Sequence, residues 1–184
     1  MQFTPQSIKD VILIEPKIHG DSRGYFSETF RQDLFDSFFA NKINFVQDNE
    51  SQSSKGVLRG LHYQVPPFDQ SKLIKVSQGR ILDVVLDIRK CSSTFGEHLS
   101  IELSDENMRQ LFIPSGFAHG FVVLSETAKI NYKVDNYYSL ECDRGIAFND
   151  PDLKINWLLK EHDLKLSNKD IMYPNLKDIP DLFD

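Results

Sequence analysis

The chain has 184 residues, 40% of them hydrophobic and 26% charged, enough for one domain with a sizeable core and ordinary for a globular protein. A formal net charge of −6 argues against non-specific nucleic-acid binding, so an anionic ligand would need a local basic cluster. The opening "MQFTPQSIKDVILIEPK" is too charged for a signal peptide, no apolar run is long enough to span a membrane, and Cys91 and Cys142 lack metal spacing; together these read as a cytoplasmic protein with reduced thiols.

In chain order, "DSRGYFSETF" (21–30) supplies Arg23, Phe26 and Glu28 around a Gly24 turn. "RQDLFDSFFA" carries Leu34, Phe35, Phe38 and Phe39 at helical spacing and predicts a helix packed on the core. "VQDNESQS" offers Gln47 and Asn49 as neutral hydrogen-bonders. "GVLRGLHYQ" reads as a strand in which Gly60 separates Arg59 from His62. A glycine inside a strand often marks a bulge, and one extra residue there would turn Arg59 and His62 to the same side.

"KLIKVSQGRILDVVLDIR" predicts two strands joined at Gln78-Gly79, with Lys72 opening the first. In the second, Leu82, Val84, Leu86 and Ile88 share one face, and Ile81, Asp83, Val85 and Asp87 the other. "HLSIELSDENMRQLFIP" reads as a pair turning at "SDEN", and "GFVVL" with "AKINYKVDNYY" as a pair around "SET". Ile130, Tyr132 and Val134 share one face, which brings the Tyr132 hydroxyl inside if that face is the barrel interior. The acidic "KDIPDLFD" reads as a loosely held tail. Many short strands with turn signals predict an all-β sandwich or barrel.

Two motifs sharpen that expectation. "FIPSGFAHGF" resembles the second motif of the cupin β-barrels, Pro-x-Gly-x-x-His, on Pro114, Gly116 and His119. The first, Gly-x5-His, falls on Gly56 and His62. Where a metal-binding cupin continues with a second histidine and a glutamate, this chain has Gln64 and at best Asp69, so the barrel reads as metal-free. Singly, a strand histidine serves structure as readily as chemistry. Tyr132 alone would pass for a core tyrosine, and Arg23, Arg59 and Lys72 for solvated charges.

Taken together, "DSRGYFSETF", "VQDNESQS", "GVLRGLHYQ", "FIPSGFAHGF", "YKVDNYY", "RGIAFNDP" and "LSNKD" resemble the dTDP-4-dehydrorhamnose 3,5-epimerase family. The resemblance implies a cupin-type jelly-roll β-barrel with a few short peripheral helices, filling residues 1–184 as one unit. It also implies a homodimer and no cofactor. In that family the catalytic base falls on His62, its acidic partner on Asp170, the proton-donating tyrosine on Tyr132 and the lysine beside the sugar carbonyl on Lys72. Substrate contacts fall on Arg23, Phe26, Glu28, Gln47, Asp48, Asn49, Arg59, Lys72, His119 and Lys169, with Tyr138 stacking on thymine. Asp143 stands where the family has a glutamate. The family further suggests exchange between subunits, with Arg23 and Glu28 reaching the partner's site.

The implied substrate is a nucleotide-linked 4-keto-6-deoxy sugar. Its C3 and C5 protons are acidic because both carbons flank the C4 ketone. Inverting them needs a base and an acid on opposite faces of the ring, for which histidine and tyrosine have suitable pKa values. The nearest rival is a relative that inverts only one centre. His62, Asp170 and Tyr132 argue against one that shifts the ketone along the ring, Gln64 and the missing glutamate against a metal-dependent cupin, and the three catalytic positions together against a non-catalytic binding barrel.

Overall fold

The computed structural model describes residues 1–40 and 42–184. Alternating apolar side chains build two facing sheets. One has six strands: β1 (Gln2–Pro5), β2 (Ile12–Glu15), β5 (Gln47–Ser54), β7 (Lys72–Gln78), β10 (Gln110–Ile113) and β12 (Thr127–Val134), in the order β1-β2-β10-β7-β12-β5. The other has five: β6 (Leu58–Gln64), β8 (Arg80–Asp87), β9 (His98–Ser104), β11 (Phe117–Val123) and β13 (Asp143–Gly145), in the order β13-β6-β11-β8-β9. A separate hairpin pairs β3 (Ile18–Asp21) with β4 (Gly24–Ser27). Two short helices, α1 (Gln32–Phe38) and α2 (Asn168–Ile171), lie at the periphery. This is a jelly-roll barrel of the cupin type. Among the described residues no helix is long and apolar enough to cross a membrane.

Three apolar clusters hold the layers. Between the sheets lie Ile74, Ile81, Val85, Leu111, Phe121 and Ile130. Behind the five-stranded sheet, Leu82, Val84 and Leu86 pack against Phe148, Trp157 and Leu176 from the C-terminal segment. The two faces read from β8 thus both find cover, which explains a strand apolar on both sides. The buried Trp157 Nε1 donates to the Phe148 carbonyl at 2.8 Å. Behind the six-stranded sheet, Phe35 of α1 is 1% exposed and packs with Ile14, Leu73 and Phe112. Phe38 stays substantially exposed while stacking on Phe3.

Two expectations are corrected. None of the three strand couples is a hairpin: β7 and β8, β9 and β10, and β11 and β12 each lie in opposite sheets. Alternation reports which face of a strand is buried; it does not say which strand supplies the hydrogen bonds. The end of the chain is also docked rather than loose. Ile179 is buried against the outer cluster, the Phe183 carbonyl accepts from Lys90 N at 2.8 Å, and Arg144 Nε donates to Asp181 at 2.8 Å.

Candidate active site

The barrel interior is not filled. A cavity of about 240 Å³ remains, with Ser51, Arg59, His62, Lys72, His119 and Tyr132 as its polar lining. Ile74, Phe121 and Ile130 give it an apolar floor. Arg59, His62 and His119 come from the five-stranded sheet; Ser51, Lys72 and Tyr132 come from the six-stranded one.

The expected bulge is present. His119 pairs with His62 and Phe121 with Arg59, so Gly60 and Leu61 together oppose the single residue Gly120. Gly60 adopts φ +121°, and a Cβ there would come within 2.5 Å of Gly120 Cα. Only glycine fits. Leu61 turns into the outer cluster, and Arg59 and His62 both reach the cavity. Arg59 Nε is steadied by Ser53 Oγ at 3.1 Å.

His62 Nε2 lies 2.6 Å from Asp170 Oδ1. Asp170 sits in α2, where Ser167 caps the helix and donates Oγ–H to Asp170 Oδ2 at 2.6 Å. Burial would push the Asp170 carboxyl up, but the hydrogen bonds from His62 and Ser167 outweigh it and hold the carboxyl below its ordinary value. Tyr173 packs edge-on against the His62 ring, centroids 5.6 Å apart. Its ring occupies the space a Cβ would need at Gly145, which is paired with His62 across the strands. The imidazole is therefore fixed both by a hydrogen bond and by packing.

Burial depresses the Lys72 ammonium from 10.5 to about 8, with Asp143 and Asp83 partly opposing the drop. Burial also raises the Tyr132 phenol, with Arg59 partly opposing it, so Tyr132 keeps its proton at neutral pH. His119 is buried, with Nε2 2.9 Å from Asp83 Oδ2.

The remaining expected residues fall in three places. Tyr138 donates to Asp143 Oδ2 at 2.9 Å, and Lys169 pairs with the same oxygen, so these three form one chain of contacts. Gln47 Nε2 donates to Asn49 Oδ1 at 2.8 Å on β5. Asn49 lines an adjoining groove of about 570 Å³ that shares Tyr132 with the cavity. Asp48 also lines that groove, exposed and held by Lys133 at 2.8 Å. Arg23, Phe26 and Glu28 are not brought to this cavity. Arg23 is tied to Asp21 at 2.7 Å on the separate hairpin, Phe26 is exposed there, and Glu28 lies 3.5 Å from Arg31.

Gln64 is used structurally, with Nε2 donating to the Phe68 and Tyr137 carbonyls and Oε1 accepting from Ser139 N. Asp69 accepts from Ser115 Oγ at 2.6 Å. Among the described residues no three His, Cys, Asp or Glu side chains cluster as a metal site. The sequence reading missed Asp83, Ser167 and Tyr173 as site residues. Asp83 left a signal, a carboxylate on an apolar strand face. Ser167 left another, a capping residue three positions before Asp170. Tyr173 left none.

Fold and site together define a cupin-type barrel enzyme with acid–base groups on both walls of its interior. The model of the family "dTDP-4-dehydrorhamnose 3,5-epimerase" matches residues 5–178. A dTDP-4-dehydrorhamnose 3,5-epimerase of Shigella flexneri is 49% identical over 93% of this chain and 93% of its own. The crystal structure of a dTDP-6-deoxy-D-glucose-3,5-epimerase from Legionella pneumophila in complex with dTDP-4-keto-L-rhamnose has TM-score 0.93 and 45% identity, covering 97% of this chain and 94% of that one. A 3'-monoepimerase from Streptomyces bikiniensis in complex with dTDP-quinovose is similar at TM-score 0.87 and 32% identity, covering 94% and 87%. The chain belongs to the dTDP-4-dehydrorhamnose 3,5-epimerase family, isomerases acting on carbohydrates.

Proposed function

We propose that the cavity epimerises dTDP-4-dehydro-6-deoxy-D-glucose at C3 and C5 to give dTDP-4-dehydro-L-rhamnose. The observation that carries this is the opposition of His62, backed by Asp170, and Tyr132 on the facing sheet, around one cavity. His62 removes a proton from a carbon next to the C4 ketone. Asp170 fixes the ring through Nε2 and stabilises the imidazolium that forms. Tyr132 returns a proton to the opposite face of the planar enolate. Lys72 supplies positive charge to the enolate oxygen where water is scarce. The steps move protons only, so electrons balance without a redox partner.

Arg59 and His119 contribute to holding the substrate's anionic groups. Tyr138, with Asp143 and Lys169 beside it, receives the thymine end, and Gln47 and Asn49 offer hydrogen bonds from β5. The β3–β4 hairpin, with Ile18, Tyr25 and Phe26 exposed, reaches a second copy and brings Arg23, Phe26 and Glu28 to that copy's site. The protein thus acts as a homodimer, each chain working as one unit. Its free thiols Cys91 and Cys142 suit the cytoplasm.

The test is solvent deuterium incorporation with chelator-treated protein and the 4-keto-6-deoxyglucose nucleotide in D2O, followed by NMR. Deuterium and inversion at both C3 and C5 are expected. Inversion at one carbon only would make this a monoepimerase. Activity that appears only when metal is restored would overturn the assignment of His62 and Tyr132 as sufficient.

A further inference from the structure

Two aspartates share the inner face of β8, and neither is exposed. Asp87 is fully partnered. Arg89 reaches it through Nε and Nη2 at 2.9 and 2.7 Å, and Ser92 and Thr94 donate to it at 2.7 and 2.6 Å. Asp83 sits between Ile81 and Val85, both members of the interior apolar cluster. Its Oδ2 meets His119 Nε2 at 2.9 Å, and its Oδ1 has no hydrogen-bond partner. A buried carboxylate with one lone contact is costly unless that contact carries positive charge. Among the described residues the one hydrogen-bond partner Asp83 has is the imidazole, so the imidazole is the group in contact that can supply that charge.

His119 and His62 are cross-strand partners, and each gives its Nε2 to an aspartate, leaving Nδ1 as the nitrogen free for other contacts. The two aspartates differ. Asp170 accepts from His62, from Ser167 and from the Gly60 backbone; among the described residues Asp83 has His119 as its one hydrogen-bond partner, and Lys72 is the other cation that feels its charge. Two similar dyads in one cavity are thereby set to opposite tasks, the pattern by which environment separates a base from an acid.

We propose that Asp83 is a positioning residue that keeps His119 as an imidazolium, so that His119 donates through Nδ1 to an anionic oxygen of the substrate while His62 serves as the base. This rests on the epimerase reading for the identity of the substrate only. The oxygen belongs either to the diphosphate or to the enolate formed at C4; both are anions that a cationic donor recognises.

The experiment has two arms. In the first, 15N NMR of the histidine rings is read near neutral pH in wild type and in Asp83→Asn. Wild-type His119 should carry protons on both ring nitrogens, and the variant on one. A wild-type His119 with an unprotonated Nδ1 overturns the proposal, and this measurement needs no variant to fold. In the second, dTDP affinity and turnover are measured for folded Asp83→Asn. A dTDP Kd raised about tenfold or more with kcat retained identifies the diphosphate, and kcat lowered about tenfold or more with Kd retained identifies the enolate. Both values unchanged would overturn the proposal. If wild type binds no dTDP and epimerises nothing, the epimerase reading fails while the ring measurement still decides the state of His119.

Discussion

His62 Nε2 and Asp170 Oδ1 stand 2.6 Å apart although 108 residues separate them in the chain. The contact exists because the C-terminal segment folds back over the five-stranded sheet and sets α2 beside β6. Replacing His62 with alanine should abolish deuterium uptake at C3 and C5. Asp170→Asn keeps the shape but no longer favours the imidazolium. Its kcat should fall about 10²- to 10⁴-fold, with KM changed far less. Steady-state kinetics on the two variants checks this. A loss confined to KM would mean that the pair only binds.

Lys72 gives the activity a pH limit. Its ammonium is depressed to about 8 by burial, so the charge that steadies the enolate is present below that pH and lost above it. The pH–rate profile should carry an alkaline limb near pH 8. Lys72→Arg, whose side chain stays charged, should remove the limb even where its overall rate is lower. Stability runs the other way. Folding holds the lysine less willingly charged than the unfolded chain does, so the penalty is present below about pH 8. It is relieved as pH rises towards 10.5. Urea midpoints should therefore rise across that interval in wild type relative to Lys72→Met.

Tyr132 can be separated from His62 by isotope. In Tyr132→Phe the base still removes a proton and can return solvent deuterium to the same face. Exchange at C3 and C5 should persist while inversion falls by about 10²-fold or more. NMR of the recovered nucleotide sugar distinguishes retained from inverted centres. Equal loss of exchange and inversion would mean that Tyr132 is not the acid.

Much of this was legible before folding because the chemistry interrupts the hydrophobic pattern. Arg59 and His62 break an apolar strand, and Gly60 between them announced the bulge. The two faces of β8 are also readable, because Leu82, Val84 and Leu86 fill one and Ile81 and Val85 flank Asp83 on the other. β5 was not recognised as a strand. Its inward positions, Gln47, Asn49, Ser51 and Ser53, are all polar and less exposed than the residues between them, so the alternation is real but carries no apolar signal. Sheet partners were illegible for β7 to β12, since a short connector between strands can turn a hairpin or cross to the facing sheet. Alternation puts Asp83 on one face of β8 but gives it no role, because its partner His119 lies 36 residues away in the chain.

The docked C-terminus makes a prediction about stability alone. Ile179 is 9% exposed, and Leu182 and Phe183 pack on the same outer cluster. Deleting residues 179–184 should cost on the order of 2–4 kcal/mol, scaling from about 1.5–3 for a fully buried large apolar side chain. Activity per folded molecule should survive, since none of these residues lines the cavity. Urea denaturation with active-site titration separates the two effects.

Gly60 ties fold to function most directly. An alanine there would have to hold φ +121° with its Cβ 2.7 Å from the His119 carbonyl oxygen. The backbone strain alone costs about 1–3 kcal/mol. Relief is available only by flattening the bulge, which would turn Arg59 and His62 to opposite faces. Gly60→Ala should therefore lose stability and turnover together. Gly20→Ala is the stability control, since within the chain its nearest neighbour would be 3.7 Å from the new Cβ; it should leave the melting temperature unchanged. Thermal melts of both variants, paired with kcat for Gly60→Ala, test this. A Gly60→Ala protein that melts lower but turns over normally would show that the bulge does not aim the base.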